Sequence, residues 1–166
     1  YGEYLWREHK HGRFDADRHA LTDLESYLQE AQEKRVPLIR FHYRHSEDTF
    51  DAHSYQKGGR ILHYLRYVVG DSAFFASLQH YLQKHQYTDV EASELRLAFE
   101  EVTGRDLTWF WEDWFYGRGH PELQVRLRYE PRARQVVARI QQVQEAAYGQ
   151  PVFRLPLTLA IYHPDD

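Results

Sequence analysis

A tyrosine and a lysine stand two positions apart in the stretch Ser54-Tyr55-Gln56-Lys57-Gly58. A phenol has a pKa near ~10, so at neutral pH it keeps its proton and can donate a hydrogen bond to developing negative charge. A lysine carries an ammonium group, which attracts the same kind of charge. The stretch therefore combines two groups that can act on an anionic species, provided that the surrounding chain holds them in place.

This stretch opens a predicted helix over residues 51–70. Apolar residues recur there at helical spacing, which indicates one buried face; they are Ile61, Leu62, Leu65, Val68 and Val69. Asp51 or Ser54 can cap the start of the helix, and Gly70 can end it. Two adjacent glycines near the start each cost roughly 1 kcal/mol against alanine, so we expect another helix to approach closely at that point.

Length and composition restrict the class of protein. The 166 residues allow one large domain or two small ones, and a hydrophobic content of 42% suffices for a substantial core. A net charge of -4, with both signs interspersed, gives no electrostatic reason to expect binding to nucleic acid or to a membrane surface. The sequence has no apolar run that is long enough to predict a membrane span. Without cysteine there is no disulfide and no thiolate metal site.

The chain contains no methionine and starts abruptly at Tyr1. We therefore expect it to be a piece of a longer protein, so a signal peptide cannot be judged from these residues. The localisation stays open between cytoplasmic and exported, because we expect the N-terminus of the parent protein to be missing here.

Five further helices are predicted from the spacing of apolar residues, over residues 1–10, 15–35, 71–86, 91–103 and 107–116. Gly12 and Gly104 are expected to end the helices before them, Pro37 to end the second helix, and Asp106 to cap the last. The predicted inward positions are Tyr1, Leu5 and Trp6; Leu21, Leu24, Tyr27, Leu28 and Ala31; Phe74, Phe75, Leu78, Tyr81 and Leu82; and Leu95, Phe99 and Val102. In the last helix we expect the aromatic residues to pack in the core: Trp109, Phe110, Trp114 and Phe115.

Beyond Pro121 apolar residues alternate with polar ones, which indicates strands. Three strands are predicted, over residues 123–129, 135–143 and 153–162, with turns at residues 131–134 and 147–151. The predicted fold class is α+β with segregated elements. A mainly helical domain covers residues 1–119, and a domain of antiparallel strands covers residues 120–166.

Four groups of residues together resemble the M1 family of zinc metallo-aminopeptidases, which are gluzincins. They are Tyr55-x-Lys57-Gly58 at a helix start, Phe99-Glu100-Glu101-Val102-Thr103-Gly104-Arg105-Asp106-Leu107, Trp109-Phe110-Trp111-Glu112-Asp113-Trp114, and Gly119-His120-Pro121. The order and spacing of the four groups are specific to the family, whereas the first motif alone is not. The resemblance covers the whole chain. It implies the helical half of a thermolysin-like catalytic domain, followed by the first strands of an incomplete β-sandwich.

The resemblance also implies a role for Tyr55. In this family the tyrosine at this position faces the catalytic zinc and donates its hydroxyl hydrogen to the oxyanion that forms when the peptide carbonyl is attacked. Loss of one such donor typically lowers turnover about 100- to 1,000-fold. Tyr55 is thus the implied catalytic residue, with Lys57 and Gly58 as supporting residues.

The segment before this tyrosine borders the substrate cleft in the family. Glu47, Asp48 and His53 could therefore line a pocket. The same residues can instead solubilise the loop and cap helices, and we prefer that interpretation.

No metal site is expected within the chain itself. The zinc-binding motif H-E-x-x-H is absent, and the pairs His9/His11, His42/His45 and His80/His85 lack further ligands at metal spacing. The resemblance places the zinc ligands upstream of Tyr1. It implies a parent aminopeptidase that acts on peptides with zinc held by its upstream half. The chain alone would then bind no catalytic zinc and would be inactive, and it could self-associate through the surface that the upstream half covers.

A second class of function stays open. The chain could be a non-catalytic helical module for protein interaction with a β appendage, in which the Tyr55 motif only packs. The reading frame upstream of Tyr1 discriminates between the two, because the peptidase requires H-E-x-x-H and a glutamate ligand there.

Overall fold

The computed structural model describes residues 1–144, 149–160 and 162. Within these residues the α-helices are Gly2–His11 (α1), Arg13–Glu30 (α2), Gly58–Val69 (α3), Asp71–Lys84 (α4), Ala92–Thr103 (α5) and Thr108–Phe110 (α6). A 3-10 helix spans Ser46–Thr49, and π-helical turns span His53–Lys57 and Trp111–Phe115. The strands are Leu123–Glu130 (β1) and Gln135–Gln142 (β2). The segregated α+β class is confirmed, while a domain boundary after residue 119 stays a prediction.

Most helix boundaries follow local signals in the sequence. Gly12 and Gly70, with φ angles of 87° and 89°, each separate two helices in a conformation that side chains disfavour. Gly104 ends α5 in the left-handed conformation. The end of the second helix was predicted wrongly, because α2 stops at Glu30, well before Pro37. The Arg35 side chain donates instead to the carbonyl of Ala31 at 3.1 Å and so satisfies an acceptor at the helix end. None of the helices in the described ranges is long and apolar enough to cross a membrane.

The core lies where α3, α4 and α5 meet the aromatic segment of residues 107–115. Its buried members are Ile61, Leu65, Phe74, Phe99, Leu107, Phe110, Trp111 and Phe115. Within the π-helical turn the rings of Trp111 and Phe115 stack with centroids 4.5 Å apart. The aromatic segment thus belongs to the core as predicted, and α3 is one of the helices that it packs against.

Two of the predicted inward faces are right in part. Tyr1 and Leu5 pack inward at α1, as do Tyr27 and Ala31 at α2. In α1 the buried residue is Tyr4, whereas Trp6 is exposed. In α2 the buried residues include Ala16 and Ala20, whereas Leu21 is exposed. Tyr4 packs on these alanines, because small side chains let α1 and α2 approach closely. Other predicted inward positions that prove to be exposed are Leu28, Phe75, Leu82 and Val102.

β1 and β2 form an antiparallel hairpin, paired from Leu123 opposite Gln142 to Glu130 opposite Gln135. The turn at residues 131–134 joins them, as predicted. Alternation places the apolar residues of β1 on one face, and that face is exposed, with Leu123, Val125, Leu127 and Tyr129 all between 40% and 70% accessible.

The predicted third strand is wrong for residues 153–160, where the structure has no strand. The Gln142 side chain accepts the N–H of Phe153 at 3.0 Å and donates to its carbonyl at 2.7 Å. The N–H of Arg154 donates to Asp113 at 2.8 Å. These side chains occupy backbone groups that a strand would need for pairing. Residue 161 and the first two residues of the predicted turn at 147–151 lie outside the described residues.

Candidate functional site

The candidate catalytic tyrosine lies on the π-helical turn His53–Lys57, which runs directly into α3. The turn is wide, since the N–H of Lys57 donates to the carbonyl of Ala52, five residues back, at 2.9 Å. The Asp51 carboxylate accepts the N–H of Ser54 at 2.8 Å. Of the two predicted caps, Asp51 or Ser54, it is Asp51, just before the turn, that accepts a backbone N–H, and the first turn is π-helical rather than α-helical.

The Tyr55 side chain is 58% exposed, and its hydroxyl bonds to none of the residues that the structure describes. It borders a cavity of about 330 Å³ between α1, α2 and α3, which we call the Tyr55 cavity. The other side chains around this cavity include Glu3, Asp23, Arg60 and His63. An exposed, unbonded phenol at the edge of a cavity can donate its hydroxyl hydrogen to a bound ligand.

The carboxylates and the imidazole of the Tyr55 cavity have partners within the fold, whereas Arg60 has none among the described residues. Glu3 accepts from Arg7 at 3.4 Å and lies 3.2 Å from His19. Burial and the nearby Arg60 lower the pKa of His63, so its ring is neutral at pH 7. The Nδ1 atom of this ring lies 3.3 Å from the Tyr1 hydroxyl. The carboxylate and imidazole groups here are thus largely satisfied, in contrast to the Tyr55 hydroxyl.

A network of ion pairs fixes the turn that carries Tyr55. Arg40 donates to both oxygens of the Asp51 carboxylate, at 2.6 and 3.0 Å, and to the Ser54 hydroxyl at 2.6 Å. Lys34 donates to the same carboxylate. Burial alone would raise the pKa of Asp51, but the bonds from Arg40, Lys34 and Ser54 outweigh it and hold that pKa well below its usual range. Sequence reasoning missed Arg40 and Lys34, which lie on an irregular segment far from any recognisable motif.

His53 connects the same turn to α2 on its buried side. Its ring is fully buried, and Nδ1 lies 2.7 Å from the Glu30 carboxylate, which also accepts the backbone N–H of His53 at 3.1 Å. Burial lowers the pKa of His53 and Glu30 raises it, with burial the larger effect. A buried ring of this kind holds α2 against the turn, and a place for His53 in a substrate cleft stays a prediction.

Glu47 and Asp48 lie on the exposed 3-10 helix Ser46–Thr49. The Asp48 carboxylate accepts the N–H groups of Arg44 and His45 at 3.0 and 3.2 Å, and these bonds lower its pKa. Asp48 therefore acts as a capping group. Neither residue borders the Tyr55 cavity, and a place for them in a substrate cleft stays a prediction.

Lys57 faces away from solvent, with only 4% of its surface exposed. Its ammonium lies 5.8 Å from the centroid of the Tyr27 ring and has no hydrogen-bond partner among the described residues. Burial, helped by the charge of Arg40, lowers the pKa of Lys57 to about 8. Lys57 borders a second cavity of about 500 Å³, the Lys57 cavity. Apolar spacing missed this cavity, although Lys57, Ile61 and Tyr64 follow one another at helical intervals.

The two glycines at the start of α3 are packed against this chain's own residues. A Cβ on Gly58 would lie 3.3 Å from a methyl group of Leu38, and one on Gly59 would lie 3.6 Å from the backbone nitrogen of Tyr1. The expected close approach of a helix is found at Gly59, which lies beside the start of α1, whereas at Gly58 the neighbour is an irregular segment. The irregular segment around Leu38 and the start of the chain beside α1 fill that space.

The described residues offer one cluster with the donor types of a metal site, formed by Glu30, Asp51 and His53, whose ligand atoms lie within 4.8 Å of one another. The cluster does not fit a catalytic zinc ion. Arg40 and Lys34 already neutralise Asp51, and the ring nitrogen of His53 that faces the cluster is bonded to Glu30. Two fixed cations would repel a third one placed among them.

Comparisons with known proteins give a consistent result. The sequence model of the Peptidase family M1 domain matches residues 1–114. Aminopeptidase N of Lactococcus lactis is 39% identical over 67 residues, which are 40% of this chain and 8% of that protein. Leucyl aminopeptidase of Saccharolobus solfataricus is 27% identical over 120 residues, which are 69% of this chain and 14% of that protein.

Among solved structures, aminopeptidase A of Legionella pneumophila, crystallised in complex with aspartic acid, superposes with a TM-score of 0.66. The match covers 84% of this chain and 15% of that structure at 21% identity, so it supports the fold alone. The chain thus spans about 8% to 15% of the length of these similar proteins.

Proposed function

Because the chain belongs to peptidase family M1, whose domain model matches residues 1–114, we propose that it forms part of a zinc-dependent aminopeptidase that removes N-terminal residues from peptides. The similar curated proteins bear aminopeptidase names, which supports this class of reaction. The observation that carries the proposal is the exposed, unbonded hydroxyl of Tyr55 on a turn fixed by ion pairs.

In the proposed reaction Tyr55 donates its hydroxyl hydrogen to the carbonyl oxygen of the scissile peptide bond as negative charge develops on it. A donor that strengthens its bond as the charge grows lowers the barrier more than it tightens substrate binding. Asp51 and Glu30 accept backbone N–H groups of the turn, and Arg40 donates to Asp51. These hydrogen bonds hold the turn in place, so little reorganisation is needed when the charge appears. Lys57 and Gly58 are proposed as supporting residues of this turn.

Zinc in such enzymes activates the attacking water and polarises the carbonyl. The cluster of Glu30, Asp51 and His53, found among the described residues, does not fit that ion, and H-E-x-x-H is absent from the sequence. We therefore assign the zinc ligands to an upstream half of the catalytic domain, which would be the chain's partner in the enzyme. A donor stabilises charge but creates no nucleophile, so the chain alone is expected to be inactive.

A non-catalytic interaction module is the second candidate. The exposed apolar face of the hairpin, with Val125, Leu127 and Tyr129, favours it, because such a face is suited to association with another protein. The upstream reading frame separates the two functions. An intact H-E-x-x-H followed by a glutamate ligand would support the peptidase, and their absence would leave the interaction module.

The direct test compares the 166-residue chain with an enzyme that also carries the zinc-ligand half. Metal content after dialysis and release of a fluorophore from an aminoacyl amide are measured for both. We expect zinc-dependent hydrolysis only from the longer protein. No hydrolysis by the folded, zinc-loaded longer protein would overturn the peptidase function. Stoichiometric zinc and zinc-dependent turnover in the chain alone would overturn the assignment of the zinc ligands.

A further inference from the structure

The Lys57 cavity lies between α2, α3 and the segment that leads from the aromatic helix to β1. Its volume of about 500 Å³ falls within the range of small-molecule binding sites. Most of its wall is apolar and comes from Leu24, Leu28, Ile61, Tyr64, Trp114 and Pro121. The rings of Tyr64 and Trp114 lie with centroids 4.9 Å apart and provide an aromatic side to the cavity.

Two of the residues that line this cavity carry a buried hydrogen-bond donor without an acceptor. The ammonium of Lys57 and the indole N–H of Trp114 make no hydrogen bond to any described residue. Trp111 shows the contrast, since its indole donates to the carbonyl of Ala92 at 3.0 Å. Buried donors are nearly always bonded in folded proteins, so two unbonded donors around one cavity indicate a ligand that brings acceptors.

The cavity's own acceptors are already engaged. The Glu122 carboxylate pairs with Arg35 at 3.1 Å, and the Tyr27 hydroxyl shares a hydrogen bond of 3.1 Å with Nδ1 of His120. Arg60, which also borders the cavity, forms no ion pair or hydrogen bond with a described residue. The cavity therefore carries an excess of positive charge and of donors.

A buried ammonium without a partner is costly, and the Tyr27 ring compensates it only in part. The missing acceptor must be anionic to balance Lys57. The apolar walls disfavour a strongly hydrated dianion such as phosphate and suit an ion with an apolar body. A carboxylate fits best, because its two oxygens can accept from the ammonium and from a second donor.

We propose that the Lys57 cavity binds a small monocarboxylate with an aromatic or branched apolar body, with the carboxylate at Lys57 and the body between Ile61, Tyr64 and Trp114. A free α-amino acid is a poor ligand here, because its ammonium would lie beside that of Lys57. This site is argued from the cavity alone and does not depend on the peptidase reaction.

The test titrates the protein by isothermal calorimetry with 3-phenylpropanoate, its uncharged amide 3-phenylpropanamide, and phenylalanine. We expect the acid to bind at least tenfold more tightly than the other two. Lys57→Met should remove this preference, while Lys84→Met, at an exposed lysine paired with Glu101, should leave it unchanged. Trp114→Phe keeps an aromatic wall without the N–H and should weaken binding of the acid severalfold.

Circular dichroism checks that each variant is folded. If Lys57→Met fails to fold, Trp114→Phe and the comparison of acid with amide still decide. Three results would overturn the site: no binding of the acid to the folded protein, equal binding of acid and amide, or undiminished binding of the acid by folded Lys57→Met.

Discussion

Tyr55 and Lys57 stand two positions apart on one turn, yet they lie in opposite surroundings. Tyr55 is 58% exposed beside a cavity whose charged groups are mostly paired, whereas Lys57 is 4% exposed beside an apolar cavity that leaves its ammonium unpaired. Residues two apart on a helical turn point to roughly opposite sides of it. One short motif therefore contributes a residue to each of two cavities. The family resemblance implies a catalytic role only for the residue at the Tyr55 cavity.

The two residues also differ in how the fold treats charge. Asp51, at the start of the turn, receives bonds from Arg40, Lys34 and Ser54, and its pKa falls because its ionised form is stabilised. Lys57, at the end of the turn, has its pKa lowered because its ionised form is destabilised by burial. The first arrangement stabilises the folded state, and the second destabilises it.

The largest expected effect is on turnover at Tyr55. In the enzyme that carries zinc ligands, Tyr55→Phe should lower kcat about 100- to 1,000-fold with little change in KM or zinc content, since it removes a donor used mainly in the transition state. Tyr87→Phe, at a fully exposed tyrosine, is the matched control. Retention of more than about half of the wild-type kcat would remove Tyr55 from the mechanism.

The comparison between the two residues also predicts which substitution lowers kcat more in the same assay. Lys57→Ala should lower kcat less than Tyr55→Phe, because Lys57 borders the other cavity and acts only through the turn. A larger loss in Lys57→Ala than in Tyr55→Phe, with both proteins folded, would mean that the lysine takes the more direct part in the reaction.

The next effect is on stability at Asp51. Asp51→Asn leaves Arg40 and Lys34 without a counter-charge, so the free energy of unfolding in urea should fall by about 3 kcal/mol at pH 7. Because the folded pKa of Asp51 lies below the unfolded value, its contribution is present above about pH 4 and is lost as the pH falls. The difference between wild type and variant should therefore shrink in acid. Asp89→Asn, at an exposed loop carboxylate, should show neither effect.

Replacement of Lys57 should change the free energy of unfolding in the opposite direction from replacement of Asp51. Its folded pKa of about 8 lies below the ordinary 10.5, so the unfolded chain binds more protons between these values and stability rises with pH across that window. Lys57→Met should exceed wild type by about 3 kcal/mol at pH 7, an advantage that is lost between pH 8 and 10.5. The neighbouring His53 and His120 have lowered pKa values and the pKa of Tyr27 is raised, so none of the three titrates there.

Urea unfolding of both proteins from pH 7 to pH 10.5 measures this difference, and Lys84→Met serves as the control for loss of an exposed lysine. A difference that is constant over this range would show that Lys57 is fully charged in the folded protein and has an unseen partner.

The sequence predicted the features that rest on local signals. Gly12, Gly70 and Gly104 ended helices where expected, because a positive φ is a property of one residue. The hairpin followed from alternation and a turn. The prediction of inward residues failed where small side chains form the contact between two helices. Tyr4 packs on Ala16 and Ala20, while Trp6 is exposed.

Features that depend on distant partners could not be predicted. The third strand failed because the Gln142 side chain takes the backbone groups of Phe153. At the candidate site, the motif predicted that Tyr55 and Lys57 lie at a helix start, and Asp51 was one of two predicted caps. The ion pairs of Arg40 and the Lys57 cavity were missed, since each joins segments that no pattern relates. A motif therefore locates a site, but the surroundings of each side chain come from tertiary contacts.

The smallest effect distinguishes the two glycines that follow the motif. A Cβ on Gly59, which borders the Tyr55 cavity, meets only the backbone of Tyr1 at 3.6 Å, an ordinary contact distance. Gly59→Ala should therefore keep most of the helix-propensity gain and raise the free energy of unfolding by up to about 1 kcal/mol. A Cβ on Gly58 meets Leu38 at 3.3 Å, so Gly58→Ala must displace that side chain and should gain less or lose stability. Urea unfolding of the pair measures the order directly. If Gly58→Ala proves the more stable, the Leu38 segment is looser than its contact with Gly58 indicates.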